Sequence, residues 1–413
     1  MSETRSLVEL WRNAEQPNEP DAGAVLVTLV RVEGSSYRKP GARLLTCANT
    51  SAGSISGGCL EGEVLRKAAW ITQAGAALQR YSTLFDDTSE IPFGLGCGGV
   101  VDLLFEPLRL PETQALLAAL ERSLRGEQQI TLTLLPNENL PDTQLQRIVL
   151  DGKCTLQFAS DSLSAKSCKL LIECAQAALL EDTALLHSET TLQLDGPTRT
   201  VFIEKIDPPQ RLFIFGAGKD AQPLTRMAHL LGWRVVVADG RPMLARAESF
   251  PEAESVLRLP HNTTQYAEAL ADLHITSTDA AVLLTHSYEQ DRALLPHLLP
   301  LGLRYLGLLG ARHRSRLLLM ETAAQLGWTP EECLARIHAP VGLHLGGDTP
   351  EAVALSIVAE IQSVLHGREK KLHFGNERSL LEAPALPYVP TVCALDVDAA
   401  ADESLAQAPR KTH

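Results

Sequence analysis

The chain carries little positive charge for its size, and this shortage excludes two classes of partner. Lysine and arginine number 37 against 50 aspartate and glutamate residues, which leaves a formal net charge of −13 over 413 residues. Proteins that bind the phosphate backbone of nucleic acids, or the surface of an anionic membrane, need a basic face. The composition therefore predicts that neither nucleic acid nor a membrane is a partner.

Long hydrophobic runs and paired cysteines are also missing. No segment approaches the ~20 apolar residues of a membrane-spanning helix. The opening residues, MSETRSLVELWRN, lack the apolar run of a signal peptide. The eight cysteines form no CxxC pair and show no zinc-type spacing with histidine. We therefore expect a cytoplasmic protein, in which disulfides are rare, without a structural zinc site.

Residues 1–107 have the pattern of an α/β unit whose loops are rich in glycine and serine. The runs GAVLVTLVRV and ARLLTC, and the stretches 77–84 and 99–106, predict strands, and the apolar spacing over 60–75 predicts a helix. Residues 108–207 alternate short apolar runs with helical pieces. We predict a linking region or small subdomain there.

Beyond Pro208-Pro209 the pattern becomes a regular alternation of strands and helices. The apolar runs RLFIF, RVVVAD, AAVLLT and RYLGLLG, each followed by helical spacing, predict a parallel sheet covered on both faces. We therefore predict a Rossmann-like doubly wound domain at 208–367. Its last helix should have Thr349 as N-cap and Pro350 as first residue. The tail, 368–413, is expected to be flexible.

The segment Gly216-Ala217-Gly218 follows a strand and opens a helix, which is the context of a dinucleotide fingerprint. The first glycine permits a tight turn, the second lets a pyrophosphate approach the backbone, and Asp239 ends the next strand, where an acid would bind ribose. Asp220, beside the phosphate position, opposes an anion. A bound nucleotide and a scaffold that binds no free dinucleotide both remain open.

Cys59 and Cys97 stand in two glycine turns, SISGGCLEGEV and GLGCGGVVDLLFEP. A helix N-terminus stabilises a thiolate, although Glu61 and Glu63 compete for the positive end of the helix after Cys59. Thiolates suit soft metals and sulfur transfer. Two interpretations remain open: small buried residues in tight corners, or a thiol pair presented to a ligand that contains sulfur or a metal.

Three further positions offer groups to a ligand. The loop GSSYRKPGARLL presents Ser35, Ser36 and Arg38, which is anion-binding chemistry unless the loop is only a solvated connection. His286 follows a strand of the Rossmann-like half, at the edge where such sheets bind ligands. Arg312 begins a later helix, where its positive charge is unfavourable without a bound anion. His286 is more readily explained by structural hydrogen bonding and Arg312 by a solvated helix start.

Several motifs in one order resemble the XdhC/CoxI family, over about residues 20–107 and 208–367. They are the three glycine-rich motifs above, followed by RLFIFGAGKDAQPL, VVVADGRP, AVLLTHSYEQD, RYLGLLGARHRSRLL and APVGLHLGGDTPEAVALSIVAEI. That family is understood as molybdenum cofactor chaperones. The resemblance implies that the chain binds the finished cofactor, holds it for sulfuration by a cysteine desulfurase, and delivers it to xanthine dehydrogenase or a related molybdenum hydroxylase.

The resemblance also assigns positions, which are Ser35, Ser36 and Arg38 in an anion-type loop, Cys59 and Cys97 in the glycine turns, and Gly216, Gly218 and Asp239 in a nucleotide-type fold. The two thiols would lie near the molybdenum. A maturation chaperone is favoured over an enzyme, and a homodimer is expected by analogy. Two alternatives stay open: an oxidoreductase that uses NAD(P), and an adaptor that bridges a desulfurase and a dehydrogenase without holding a ligand.

Overall fold

The structure, a computed structural model, describes the greater part of the chain. The described residues are 3–14, 23–48, 50–58, 60–82, 99–136, 144–181, 187–194, 198–260 and 262–367. The predictions for Cys59, Cys97 and the tail at 368–413 lie outside these ranges. Within them the chain forms three five-stranded sheets. None of the helices in these ranges is both long and apolar enough to cross a bilayer.

The first module is an antiparallel sheet with helices on both faces. Its elements are α1 (Glu3–Ala14), β1 (Val25–Gly34), β2 (Arg43–Cys47), β3 (Thr50–Gly53), α2 (Glu61–Ile71), β4 (Ala77–Ser82) and β5 (Gly99–Pro107). The strand order is β3-β2-β1-β5-β4. Successive side chains of a strand point to opposite faces, so Val25 and Val27 pack with α2 while Leu26 packs with α1. The unbroken apolar run of β1 is therefore buried on both sides.

The second module repeats this topology. Its elements are α3 (Pro111–Leu124), β6 (Gln129–Leu134), β7 (Gln146–Asp151), β8 (Leu156–Ala159), α4 (Ala165–Glu181), β9 (His187–Gln193) and β10 (Thr198–Ile206). The order is β8-β7-β6-β10-β9, again antiparallel. Each module begins with a helix, and a second helix joins its third strand to its fourth. The stretch 108–207 thus contains a topological copy of the first module.

Two buried ion pairs join the modules reciprocally. Arg43 of β2 donates to Glu204 of β10, and Arg147 of β7 donates to Glu106 of β5. Strands β2 and β7 are the second strands of their modules, and β5 and β10 are the last. Each arginine lies opposite a threonine of its own module's first strand. Reciprocal contacts of this kind characterise two-fold interfaces, so the two modules pack as an internal pseudo-dimer.

The third module confirms the predicted doubly wound fold. Its strands are β11 (Arg211–Phe215), β12 (Arg234–Asp239), β13 (Ser255–Arg258), β14 (Ala280–Leu283) and β15 (Tyr305–Leu308). All are parallel, in the order β13-β12-β11-β14-β15. The edge strand β13 is short and only partly buried, and the sequence analysis did not predict it. The topology is nevertheless that of a Rossmann-type sheet.

Helices cover both faces of this sheet. They are α5 (Ala221–Leu230), α6 (Tyr266–Ala271), α7 (Tyr288–Leu298), α8 (Arg312–Leu326), α9 (Pro330–Leu334) and α10 (Pro350–Leu365), with single 3₁₀ turns at Ala247–Ser249, Thr263–Gln265 and Leu299–Leu301. Helices α5 and α10 pack on one face, and α6 to α9 pack on the other. Thr349 caps α10 by accepting from the Ala352 amide, and Pro350 is its first residue, as predicted.

Candidate functional site

Described residues of all three glycine-rich motifs lie at one end of the first sheet. Strand β1 ends at Gly34, which pairs with Gly99 at the start of β5. Strand β3 ends at Gly53 and β4 at Ser82, both at this same end of the sheet. The long-range pairing of β1 with β5 therefore brings together motifs that are far apart in the sequence. We call this region the loop end.

Close contacts hold the described parts of the loops against each other. A Cβ atom on Gly99 would lie 2.1 Å from the carbonyl oxygen of Ser35, so a side chain has no room there. The ring of Tyr37 lies against Gly57, since its Cδ1 atom is 3.7 Å from the position of a Cβ. Glycine at these two positions thus permits the close approach of the loops.

Arg38 is held in place by the first helix. Its Nη2 donates to Glu3 Oε2 at 2.5 Å, and Glu3 Oε1 accepts from the Ser54 amide at 3.0 Å. Glu3 thereby links the loop after β1 to the loop after β3. A cavity of about 460 Å³ opens beside these groups, and its lining includes Tyr37, Arg38 and Lys39. Ser35 and Lys39 are exposed, while Ser36 and Arg38 are half-buried.

Glu61 organises the loop that precedes α2. Its Oε1 accepts from the Ser56 amide at 2.8 Å, from the Ile55 amide at 3.2 Å and from the Ser54 hydroxyl at 2.8 Å, and its Oε2 accepts from the Ser56 hydroxyl. Burial raises the pKa of Glu61, but the hydrogen bonds from Ser56 and Ser54 outweigh burial, and the pKa lies below its ordinary value. From the sequence alone, Glu61 is expected only to compete with the Cys59 thiolate for the positive end of the helix.

Replacing Glu61 with glutamine should loosen this loop. We expect the free energy of unfolding to fall by about 1–2 kcal/mol near neutral pH, because hydrogen bonds to a charged group are lost. A lowered pKa in the folded state means that the stabilisation is complete above the ordinary carboxyl pKa of about 4.5 and declines as the pH falls through the folded value. Denaturant unfolding of both proteins between about pH 7 and pH 3 measures this.

Glu63→Gln is the matched control for this experiment. Glu63 lies on the same helical turn but pairs only with Arg66 and Lys67 at the surface, so its replacement should cost less than about 0.5 kcal/mol. An equal loss of unfolding free energy in Glu61→Gln and Glu63→Gln would show that Glu61 does not anchor the loop. A Glu61→Gln cost that stays constant down to the lowest pH would contradict the charge-based explanation.

Residues beside the two motif cysteines lie at the loop end. Cys59 and Cys97 are outside the described residues, but Gly58, Leu60 and Gly99 are within them. Gly58 has φ +105°, and open space surrounds the position where its Cβ would be. Leu60 is buried in the core of the first module. Of the two described neighbours of Cys59, Leu60 therefore faces the core and Gly58 faces open space.

A buried arginine lies at the corresponding end of the second module's sheet. Arg199, only 8% exposed, lies beyond the last residue of β6. Its Nη2 donates to the carbonyl oxygens of Leu134, Leu135 and Gln144, at 3.4, 3.1 and 3.0 Å. Burial lowers the pKa of Arg199. A buried side chain tied to main chain thus lies at this end, whereas the first module presents glycine loops at its own.

The glycine fingerprint of the third module lies where its strand order reverses, between β11 and β14. Ligands of open parallel sheets bind at this place. A Cβ on Gly216 would lie 2.3 Å from the Leu284 carbonyl oxygen, so glycine is required by the neighbouring strand's loop. A Cβ on Gly218 would lie 2.6 Å from Asp220 Oδ1. Both glycines make room for contacts within the protein.

Asp239 is also engaged within the protein. It is fully buried and accepts from the Ala217 amide at 2.7 Å, from the Arg241 amide at 2.8 Å, and from Arg241 Nε and Nη2 at 2.9 and 2.8 Å. Burial raises the pKa of Asp239, but the bonds from Arg241 and Ala217 outweigh burial and the net pKa is lowered. Its carboxylate is ionised and already bonded in the position predicted to bind ribose.

His286 and Asp220 bridge the mouth of this crevice. His286 Nε2 lies 2.7 Å from Asp220 Oδ2, and His286 has a left-handed backbone with φ +55°. Arg312 is exposed at the first position of α8. The neighbouring Arg314 instead reaches the buried Asp291, with Nη2 2.5 Å from Oδ2.

The predicted site residues thus fall into two groups. Ser35, Ser36 and Arg38 lie at the loop end of the first module, with the neighbours of the cysteines. Gly216, Gly218, Asp239 and His286 lie together on the parallel sheet of the third module. Within the described residues no group of three His, Cys, Asp or Glu side chains is placed to hold a metal ion.

Two family models match the chain. The model described as XdhC Rossmann domain matches residues 212–361, and the model described as XdhC and CoxI family matches residues 19–82. The first match covers the parallel sheet with α10. The second covers strands β1 to β4 of the first module, with the loops that leave β1 and β3.

Three similar proteins align with most of this chain. A probable xanthine dehydrogenase subunit of Bacillus subtilis (strain 168) is 29% identical over 345 residues, 83% of this chain and 93% of that protein. Molybdenum cofactor insertion chaperone PaoD of Escherichia coli (strain K12) is 26% identical over 349 residues, 84% of this chain and 85% of that protein. A crystal structure of a xanthine dehydrogenase from Bacillus halodurans, 27% identical, has a TM-score of 0.68 and covers 92% of this chain and 100% of that chain.

Proposed function

Because the chain belongs to the XdhC and CoxI family, we propose that it is a chaperone of the molybdenum cofactor. It would bind the finished cofactor, hold it while a cysteine desulfurase supplies sulfur, and pass it to xanthine dehydrogenase or a related molybdenum hydroxylase. Support comes from the similarity to a molybdenum cofactor insertion chaperone over 84% of this chain. The convergence of the three glycine-rich motifs at the loop end is the structural observation that carries the proposal.

The loop end suits the chemistry of this cargo. The cofactor is an anionic pterin that carries a phosphate and holds molybdenum through two sulfur atoms. Exposed Ser35 and Lys39, with Arg38 fixed by Glu3, supply donors for the phosphate. No described atom lies within 4 Å of a Cβ added to Gly58, so this position has room for a bulky group. Thiolates are suitable neighbours for a soft metal, so we assign Cys59 and Cys97 to the molybdenum end of the cargo.

The oxidoreductase alternative has weaker support. An NAD(P) site needs the glycines free to admit a pyrophosphate and an acid free to bind ribose. Gly218 instead lies against the carboxylate of Asp220, and Asp239 is bonded to Ala217 and Arg241. A nucleotide would have to displace these contacts. We therefore propose that the third module supports the chaperone and does not transfer hydride.

Purification from cells that make the cofactor tests the proposal. We expect about one molybdenum and one pterin per chain, because the three glycine-rich motifs occur once, within residues 34–107. Cys59→Ser and Cys97→Ser should each lower the bound molybdenum at least severalfold. Metal analysis and pterin fluorescence after oxidation measure both. Cys168→Ser, a change in α4 of the second module, is the matched control and should retain the wild-type content.

Each alternative predicts a different result. The adaptor predicts no bound cofactor, together with capture of a desulfurase that persists in cells unable to make the cofactor. The oxidoreductase predicts saturable binding of NADH with a dissociation constant in the micromolar range. Wild-type molybdenum content in both cysteine variants would show that the two thiols are not needed for binding, while the chain would still be a cofactor-binding protein.

A further inference from the structure

Tyr37 is a large aromatic side chain placed where a ligand would pass. It is 74% exposed, the most exposed of the described tyrosines, phenylalanines and tryptophans, and it stands between Ser36 and Arg38 at the loop end. So much exposed ring surface contributes little to the stability of the fold, because the hydrophobic gain scales with the apolar area removed from water. We therefore look for a role of Tyr37 in binding rather than in the stability of the fold.

The ring is nevertheless supported from one side. Its Cγ and Cδ1 atoms would lie 3.8 and 3.7 Å from a Cβ added to Gly57, so the ring faces the loop after β3 at a glycine. This neighbour limits the orientations of the ring, which is 74% exposed and lines the same cavity as Arg38 and Lys39. A flat apolar surface and two cations thus lie next to each other.

This pairing matches a planar heteroaromatic ring that carries an anionic group. Aromatic side chains stack on such rings in a way that tolerates different hydrogen-bond patterns, and cations bind the phosphate. We propose that Tyr37 is the stacking platform for the pterin ring of the cargo, with the phosphate directed to Arg38 and Lys39. This inference rests on the proposed function and adds to it the residue that selects a planar ring.

The test compares two fluorescent probes, 6-hydroxymethylpterin and its phosphate monoester, by fluorescence titration of the full chain. Tyr37→Leu should weaken binding of both probes by the same factor, about tenfold to a hundredfold, because the ring is common to them. Tyr37→Phe keeps the flat surface and should stay within about threefold of wild type. Unfolding midpoints should be unchanged in both variants, since the side chain is exposed.

Trp70→Leu is the matched control, because Trp70 is 70% exposed on α2 and should not affect either probe. Binding of Tyr37→Leu equal to wild type would overturn the stacking platform and leave the chaperone proposal intact. Weakening of the phosphate probe alone would also overturn it, because Tyr37 would then act only by positioning Arg38. A wild-type chain that binds neither probe and purifies without cofactor would instead overturn the proposed function.

Discussion

Replacing Gly99 with alanine is expected to separate the loops and to abolish retention of the cofactor. The added Cβ would lie 2.1 Å from the Ser35 carbonyl oxygen and 2.9 Å from the Glu33 carbonyl oxygen. Both obstacles are main chain, so no rotamer change relieves the clash. The strand start and the loop after β1 must move apart, which displaces Ser35 from the residues that follow Cys97.

We expect the Gly99→Ala variant to lose about 3 kcal/mol of unfolding free energy, the upper part of the range for overpacked sites. Bound pterin should fall by more than tenfold, because a ligand held by several loops depends on their relative positions. Chemical denaturation measures the first quantity, and pterin content after purification measures the second.

Gly62→Ala supplies the control in the same module. Gly62 lies within α2, and nothing lies within 4 Å of the position of its Cβ. Alanine should therefore stabilise the helix by about 0.5–1 kcal/mol and leave pterin content unchanged. Wild-type stability and pterin content in Gly99→Ala would show that the loop end is not assembled as described.

The sequence predicts which motifs form the turns of the loop end, but it does not predict that these motifs lie close together. Glycine, proline and serine residues identify the motifs around Ser35, Cys59 and Cys97 as turns. Their convergence depends on the pairing of Gly34 with Gly99, a non-local contact that no local pattern contains. The anchoring role of Glu61 was also missed, because Ser54 and Ser56 precede it by seven and five residues, which is not the three-residue spacing of a capping box.

The third module shows the opposite case, in which the local pattern predicts the fold, while the contacts of the candidate site residues come from the structure. Alternating apolar strands and helices predict the doubly wound sheet, because each strand is buried on both faces. The ribose role predicted for Asp239 assumed a free carboxylate. Arg241, only two residues further on, could have indicated a local partner, but only the structure shows that both oxygens are already bonded.

The second module was not predicted as a copy of the first because it shares topology and not motifs. Its short strands are interrupted by polar residues, and its edge strands β8 and β9 are only partly buried. Arginine and glutamate within a strand usually indicate a solvated face. Here Arg147 and Glu106 are buried because each module provides the partner charge for the other.

Replacing Arg147 with methionine should therefore destabilise the protein severely. Arg147 and Glu106 side chains are 2% and 0% exposed, and the guanidinium also donates to Thr133 Oγ1 at 2.9 Å and to the Glu112 carbonyl oxygen at 2.7 Å. The variant leaves Glu106 as an unpaired buried charge, and such a loss costs about 3–5 kcal/mol. Urea unfolding at neutral pH measures it.

The double variant Arg147→Met/Glu106→Leu tests whether the cost comes from the orphaned charge. Apolar residues that replace both members of a buried pair are often neutral or stabilising, so the double variant should regain most of the stability lost by Arg147→Met. Arg43→Met should behave in the same way, with rescue by Glu204→Leu, if the modules are packed as a pseudo-dimer. The surface pair Arg66 and Glu63 is the control, with less than about 0.5 kcal/mol expected. A loss of less than about 1 kcal/mol of unfolding free energy in Arg147→Met would contradict the reciprocal interface. An unpaired Glu106 charge destabilises the fold so little only where water solvates it.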